Sequence, residues 1–212
     1  MQRPALVIAL TAGLMSTSLA FFSSAGAEDR RFDDPPARVA TAVFAGGDFS
    51  FLEADFDQVD GVIETTAGFA GGLGERPTYR QVSSGESDHM AAVKITYDPS
   101  AVSYDQLATY FVRHIDPTRA ESPDCAIGGE ARSAIFVSGQ GERVAAEASL
   151  ADAVSELGQP VVTEILPATA FWPAEDQYQD YYVRNAGKYE DHRAACDRDT
   201  RVQQLWGAAT SS

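Results

Sequence analysis

The feature that most restricts this chain is an uninterrupted alternation of strand-like and helix-like periodicities from Val39 to Trp206. Residues 39–45 are small and β-branched, as a strand requires, and Gly46-Gly47 turns the chain. Phe49, Leu52, Glu53 and Phe56 then recur at helical spacing behind Asp48, which occupies an N-cap position. Residues 61–68 and 91–97 read as strands, with a glycine-rich loop over 69–77 between them and Asp98-Pro99 ending the second. Residues 103–114 read as a helix, because Ser103 can cap it and Leu107, Phe111 and Ile115 share one stripe. A loop over 116–130 leads to a strand over 131–138 and a helix over 142–157 closed by Gly158. A strand over 161–166, a helical segment over 175–185 and a short helix over 199–206 complete the series. The elements interleave with no linker and no repeat. The expected architecture is therefore α+β, a single domain with helices packed on a mixed sheet.

At 212 residues, 44% hydrophobic and 22% charged, the chain can build a substantial core. Lys and Arg total 16 against 31 Asp and Glu, a formal charge of −15, which excludes nucleic acid or anionic lipid held on a basic surface. The N-terminus reads as an export signal. Arg3 precedes an apolar run over 5–19, Ala25-Gly26-Ala27 offers small residues at the cleavage positions, and charge begins at Glu28. The expected division is a signal peptide over 1–27, a polar leader over 28–38, the folded domain over 39–207 and a tail over 208–212. That places the protein in the periplasm or outside the cell, a monomer with no membrane span after cleavage. A retained N-terminal anchor is the alternative.

The side chains that could carry chemistry are few. Cys125 and Cys196 form an even pair in an exported chain, for which a disulfide is the default and two redox thiols the alternative. A bridge would close a loop of about 70 residues and stabilise the fold by roughly 4 kcal/mol in the chain-entropy account. Asp48 and Glu53 are two carboxylates five positions apart at a helix start, a spacing that does not make them converge. His89, His114 and His192 show no metal-ligand spacing, and neither a metal nor a cofactor is expected.

Several segments, in order, resemble the peptide methionine sulfoxide reductase A family. Gly46-Gly47-Asp48-Phe49 with Glu53 resembles the family's GGCFW-x-x-E, and Gly68-Phe69-Ala70-Gly71-Gly72 its GY-x-GG. Pro77-Thr78-Tyr79, Val82, Ser84-Gly85 and His89 resemble PTY-x-x-V-x-SG-x-x-x-H. Tyr97-Asp98-Pro99, Arg132-Ser133-Ala134-Ile135-Phe136, Phe171-Trp172-Pro173-Ala174-Glu175 and Gln179-Asp180-Tyr181-Tyr182 follow in the family's order. The resemblance implies the family fold and thiol-dependent reduction of peptide methionine (S)-S-oxide. In that reaction a thiolate attacks the sulfoxide sulfur, an acid protonates the oxygen, phenols hold it, and an aromatic pocket receives the methyl group.

At most of the positions that the reaction needs, this chain departs from the pattern. Asp48 stands at the nucleophile position, and a carboxylate has no two-electron couple with which to form a sulfenic acid. Ser50 stands where the family has tryptophan, Gln81 at the acid position, and Phe69 and Ala131 at phenol positions. Ala126 replaces an aspartate and Tyr178 a histidine, while Phe49, Glu53 and His89 are retained. The resemblance with these losses implies a pseudoenzyme with a binding role toward methionine- or methionine-sulfoxide-containing proteins. Cys125 and Cys196 stand where some members carry cysteines together, which implies a mutual disulfide. The alternative is an active reductase using them as a displaced redox pair, and only that reading calls for a thioredoxin-like reductant.

Overall fold

The alternation folds as six strands and seven helices, described over residues 39–119 and 132–207 of the computed structural model. These residues lie in one unit, Pro35–Ser212. β1 (Ala40–Gly46) leads into α1 (Phe49–Phe56), followed by β2 (Val62–Ala70), α2 (Tyr79–Ser83) and β3 (Met90–Tyr97). Next come α3 (Tyr104–Arg113), β4 (Ser133–Val137), α4 (Gln140–Leu157), β5 (Glu164–Pro167) and β6 (Trp172–Pro173). A 3-10 turn at Asp176–Tyr178 precedes α5 (Tyr181–Arg184), α6 (Ala186–Ala195) and α7 (Arg198–Trp206).

The strands form one mixed sheet in the order β5-β4-β1-β3-β2-β6. β1 runs antiparallel to both neighbours, and β4 and β5 are parallel. A parallel pair needs a crossover, and α4 supplies it. Strand alternation sorts β1 onto two faces: Ala42 and Phe44 join the large core beneath the helices, and Ala45 joins a smaller cluster with Ala70, Met90 and Phe136. Phe44 anchors the large core, stacking on Phe56 at 5.5 Å and Phe111 at 4.9 Å between ring centres.

All eight residues of α1 are buried, so the helix is covered on every side. Phe49, Leu52 and Phe56 face the sheet core, while Phe51 and Ala54 pack with Tyr189 and Cys196 of the C-terminal segment. Asp55 is buried with them. Its two oxygens meet Arg193 at 2.9 Å and Arg198 at 2.7 Å, tying α1 to α6 and α7.

Several expected elements shift for tertiary reasons. β2 continues through Phe69 and Ala70, assigned above to a loop, because they pair with Ala91 and Met90 of β3. β6 is an unanticipated two-residue strand on the outer edge of β2. Gly68 permits this approach, since a Cβ there would lie 2.4 Å from the Trp172 carbonyl oxygen. The helix expected over 175–185 is broken at Gln179. Its side chain accepts from the Ala67 N–H and donates to the Ala67 and Ala174 carbonyls, all at 2.9–3.0 Å, extending the sheet edge with an amide side chain. Asp180 follows at φ 50, and α6, not foreseen, begins six residues later. The start of the strand expected over 131–138, with Ala126, Ala131 and Cys125, lies outside the described residues, as do the segments 1–38 and 208–212.

Removing one member of a buried ion cluster leaves the others desolvated and unpaired. Asp55→Ala should therefore lower unfolding free energy by about 3–5 kcal/mol. Arg113→Ala, which breaks an exposed pair with Glu156, should cost under about 1 kcal/mol. Urea unfolding of the two variants checks the contrast, and equal losses would contradict it.

Candidate functional site

Asp48 precedes α1 in extended conformation, and its Oδ1 accepts the Ser50 N–H at 2.8 Å. This N-cap leaves Oδ2 for a second partner. His192, on α6, approaches with Nε2 at 3.0 Å. Burial pushes the Asp48 carboxyl pKa up, but the His192 and Ser50 hydrogen bonds outweigh it and hold the pKa below the ordinary carboxylate value. Asp48 is therefore a carboxylate at neutral pH. The sulfur of Cys196, a residue 1% exposed, lies against the imidazole, 3.6 Å from Nδ1 and 3.8 Å from Nε2.

Asp48 and His192 form part of the wall of a hollow of about 340 Å³, together with Phe49, Ser50, Tyr79, Tyr178 and Tyr181. Three of the rings brace one another. Phe49 meets Tyr79 and Tyr178 edge-on at 5.7 and 6.0 Å, and the two tyrosines lie 4.4 Å apart. Each ring is placed by a different element: Phe49 by the first turn of α1, Tyr79 by the first turn of α2, and Tyr178 by the turn that Gln179 clips to β2. Ser50, next to Phe49, adds only a small side chain to this wall.

Only some of the residues singled out in the sequence reach the hollow. Asp48, Phe49 and Ser50 reach the hollow. Gln81 does not: its Oε1 accepts from the N–H and hydroxyl of Thr78, both at 2.9 Å, closing the capping box of α2. Phe69 is fully buried beneath Phe49, with ring centres 6.0 Å apart. His89 is 2% exposed, its Nδ1 lies 2.7 Å from Ser87 Oγ, and burial lowers its pKa. It packs so closely on Gly72 that a Cβ there would fall 2.3 Å from the imidazole, which marks it as a support for that turn.

Glu53 lies deeper, fully buried, with neither carboxyl oxygen hydrogen-bonded. Burial raises its pKa to about 7, and the charges of Asp180 and Asp57 push the same way. The peptide groups of Asp180 and Ala67 pull toward the ionised form, but the Ala67 N–H is already given to Gln179.

His192, Tyr178 and Tyr181 are the site residues that sequence reasoning did not assemble. One available signal was the buried acid itself, since a carboxylate at a helix start under a large core demands a basic or donor partner. Among the described residues no group of three or more His, Cys, Asp or Glu side chains is arranged to hold a metal, and no helix is long and apolar enough to cross a membrane.

With this geometry in view, comparison with known proteins settles the family. The sequence profile of peptide methionine sulfoxide reductase matches residues 40–210. The chain belongs to that family. It is 41% identical over 175 residues to peptide methionine sulfoxide reductase MsrA 2 of Rhizobium meliloti, covering 81% of this chain and 87% of the relative. It is 36% identical over 198 residues to the MsrA/MsrB protein of Vibrio cholerae, where it spans about half (52%) of the relative's length. Methionine sulfoxide reductase A of Corynebacterium diphtheriae superposes with a TM-score of 0.63 at 30% identity, covering 72% of this chain and 77% of that one. Reduced Mxr1 of Saccharomyces cerevisiae gives 0.66 at 23% identity, covering 72% and 88%, and shares the fold.

The Glu53 carboxyl offers a pH test. Its folded pKa of about 7 exceeds the reference of 4.5, so the native state holds its proton longer. Stability from this group is intact below pH 4.5 and falls as pH rises toward 7, by about 3 kcal/mol in all. Glu53→Gln removes the titration. The stability difference, variant minus wild type, should move in favour of the variant by about 3 kcal/mol between pH 4 and pH 8. Denaturant titrations across that range check it, and a pH-independent difference would refute it.

Proposed function

We propose that this chain is an exported, non-catalytic member of the family whose hollow binds a ligand and does not reduce one. The observation that carries the reading is the state of Asp48. At the family's nucleophile position stands an ionised carboxylate with both oxygens engaged, by the Ser50 amide and by His192. It cannot accept oxygen as a sulfenic acid. Ser50 and Phe69, in place of tryptophan and a phenol, remove groups that the resemblance ties to the reaction. The leader-like sequence over 1–27 supports export, and an oxidising compartment suits a Cys125–Cys196 bridge. Cys196 is buried and no described cysteine is free. Of the expected methionine-bearing partners the hollow keeps one requirement, rings that can receive a methyl group, and adds a negative charge that a neutral sulfoxide does not use.

A second reading, an active reductase using Cys125 and Cys196 as a redox pair, draws on one observation. The Cys196 sulfur lies against an imidazole, the kind of neighbour that promotes thiolate formation in a reduced protein. The assay that separates the readings is reduction of free and peptide-bound methionine S-sulfoxide by the purified protein with dithiothreitol. No turnover above buffer is expected. Turnover would overturn the non-catalytic proposal, and its disappearance in Cys125→Ser would put the second reading in its place.

A further inference from the structure

We propose that the hollow beside Asp48 is a receptor for a methylated onium group, the trimethylammonium or sulfonium centre of a small molecule. The inference rests on the reading that the site binds without thiol chemistry, and it names the class of ligand. The hollow joins two features that a methylated cation requires together. One is aromatic surface: Phe49, Tyr79 and Tyr178 brace one another with centres 4.4–6.0 Å apart, and Tyr181 lines the same space. Ring faces attract a cation whose charge is spread over methyl groups, and its diffuse hydration makes it cheap to desolvate. The other is fixed negative charge, the Asp48 carboxylate in the same wall.

The charge of Asp48 is oriented more than it is cancelled. Donation from Nε2–H needs only the neutral imidazole, and each carboxylate oxygen keeps a further lone pair beyond its bond to Ser50 or His192. An onium ion donates no hydrogen bond, so it asks nothing of those lone pairs but field. An ordinary ammonium carries a tighter hydration shell and would lose more on entering a wall made largely of rings. The net charge of −15 on the whole chain favours a cation over an anion approaching the site. The volume, about 340 Å³, is at the small end for ligand sites and suits a headgroup or a compact solute.

An adjoining hollow shares Tyr178 and Tyr181 and carries Arg184 and Lys188. A carboxylate on the same molecule would meet opposite charge there. A free solute bearing both groups therefore fits better than the methylated lysine of a protein chain, and glycine betaine is the first probe.

Isothermal titration of the purified protein at about pH 8, where imidazoles are ordinarily neutral, tests the proposal. The probes are glycine betaine, choline, a trimethyl-lysine peptide and 3,3-dimethylbutanol, the uncharged analogue of choline. Saturable binding of betaine or choline, at least about tenfold tighter than dimethylbutanol, is expected. Asp48→Asn keeps a helix-capping side chain and should weaken binding about tenfold without loss of the thermal transition. Tyr178→Phe should retain binding, and Tyr178→Leu should weaken betaine or choline more than dimethylbutanol, which separates loss of the ring face from loss of apolar contact. Tighter binding of the peptide than of betaine would support the onium site and overturn its assignment to a free solute. If no onium probe binds a protein that also lacks reductase turnover, the onium assignment falls and the non-catalytic reading stands. Reductase turnover would remove both.

Discussion

Asp55 sits in a helix that has no solvent-facing side, and the two guanidinium groups that meet it come from Arg193 and Arg198, far along the chain. The meeting of α1 and α6 at the candidate site depends on that lock. Asp48, Phe49 and Ser50 come from the start of α1 and His192 from α6, so the wall they share is complete only where α6 packs on α1. Such a cluster adds little net energy, because stripping water from its buried charges nearly offsets their attraction. Asp199, on α7, also pairs with both arginines, so what Asp55 contributes is the link between that ion cluster of the C-terminal helices and α1. Arg193 and Arg198 also lie 5.6 Å from the centre of the Phe51 ring, so the same cations cover the apolar residue that α1 turns away from the sheet.

The parts of this fold that were legible in the sequence are those whose signal is local. α3 begins at Tyr104 behind the Ser103 cap, and α1 begins at Phe49 behind Asp48, as side-chain periodicity and capping residues indicate. β6 and the break at Gln179 were not legible, because the cause lies across the sheet. Gln179 has a good helix former's side chain, yet its amide is used to bond Ala67, which is 112 residues away in sequence. α2 escaped notice because five residues carry little periodicity, although Thr78 and Gln81 spell the capping box that starts it. Phe69 and Ala70 look like the beginning of a glycine loop and are strand only because β3 is long enough to pair with them.

The site divides in the same way. Asp48, Phe49 and Ser50 are consecutive, so one local motif placed them together in the sequence as in the structure. Gln81 was assigned a chemical position through resemblance, and the structure gives its carboxamide a capping task outside the hollow. His192 showed no ligand spacing with the other histidines, a correct observation that concealed its role, since its partner is an aspartate 144 residues earlier. Tyr178 registered only as the absence of a histidine. Its ring, packed 4.4 Å from that of Tyr79, is nonetheless a principal wall of the hollow.

The electrostatics at the start of α1 explain why aspartate fits at this position. A helix N-terminus, with its unpaired N–H groups and positive dipole end, lowers the pKa of a thiol and also stabilises a carboxylate. His192 adds a donor that suits either anion. Cysteine and aspartate therefore share an anionic form that this helix end favours, while they differ completely in redox chemistry. Aspartate at this position supplies the negative charge, the cap through one oxygen and the contact with α6 through the other, and lacks the sulfur electron pair that could attack a sulfoxide. What remains is an anionic position beside aromatic rings, with the small Ser50 leaving room next to it, and such a position selects ligands by charge and shape.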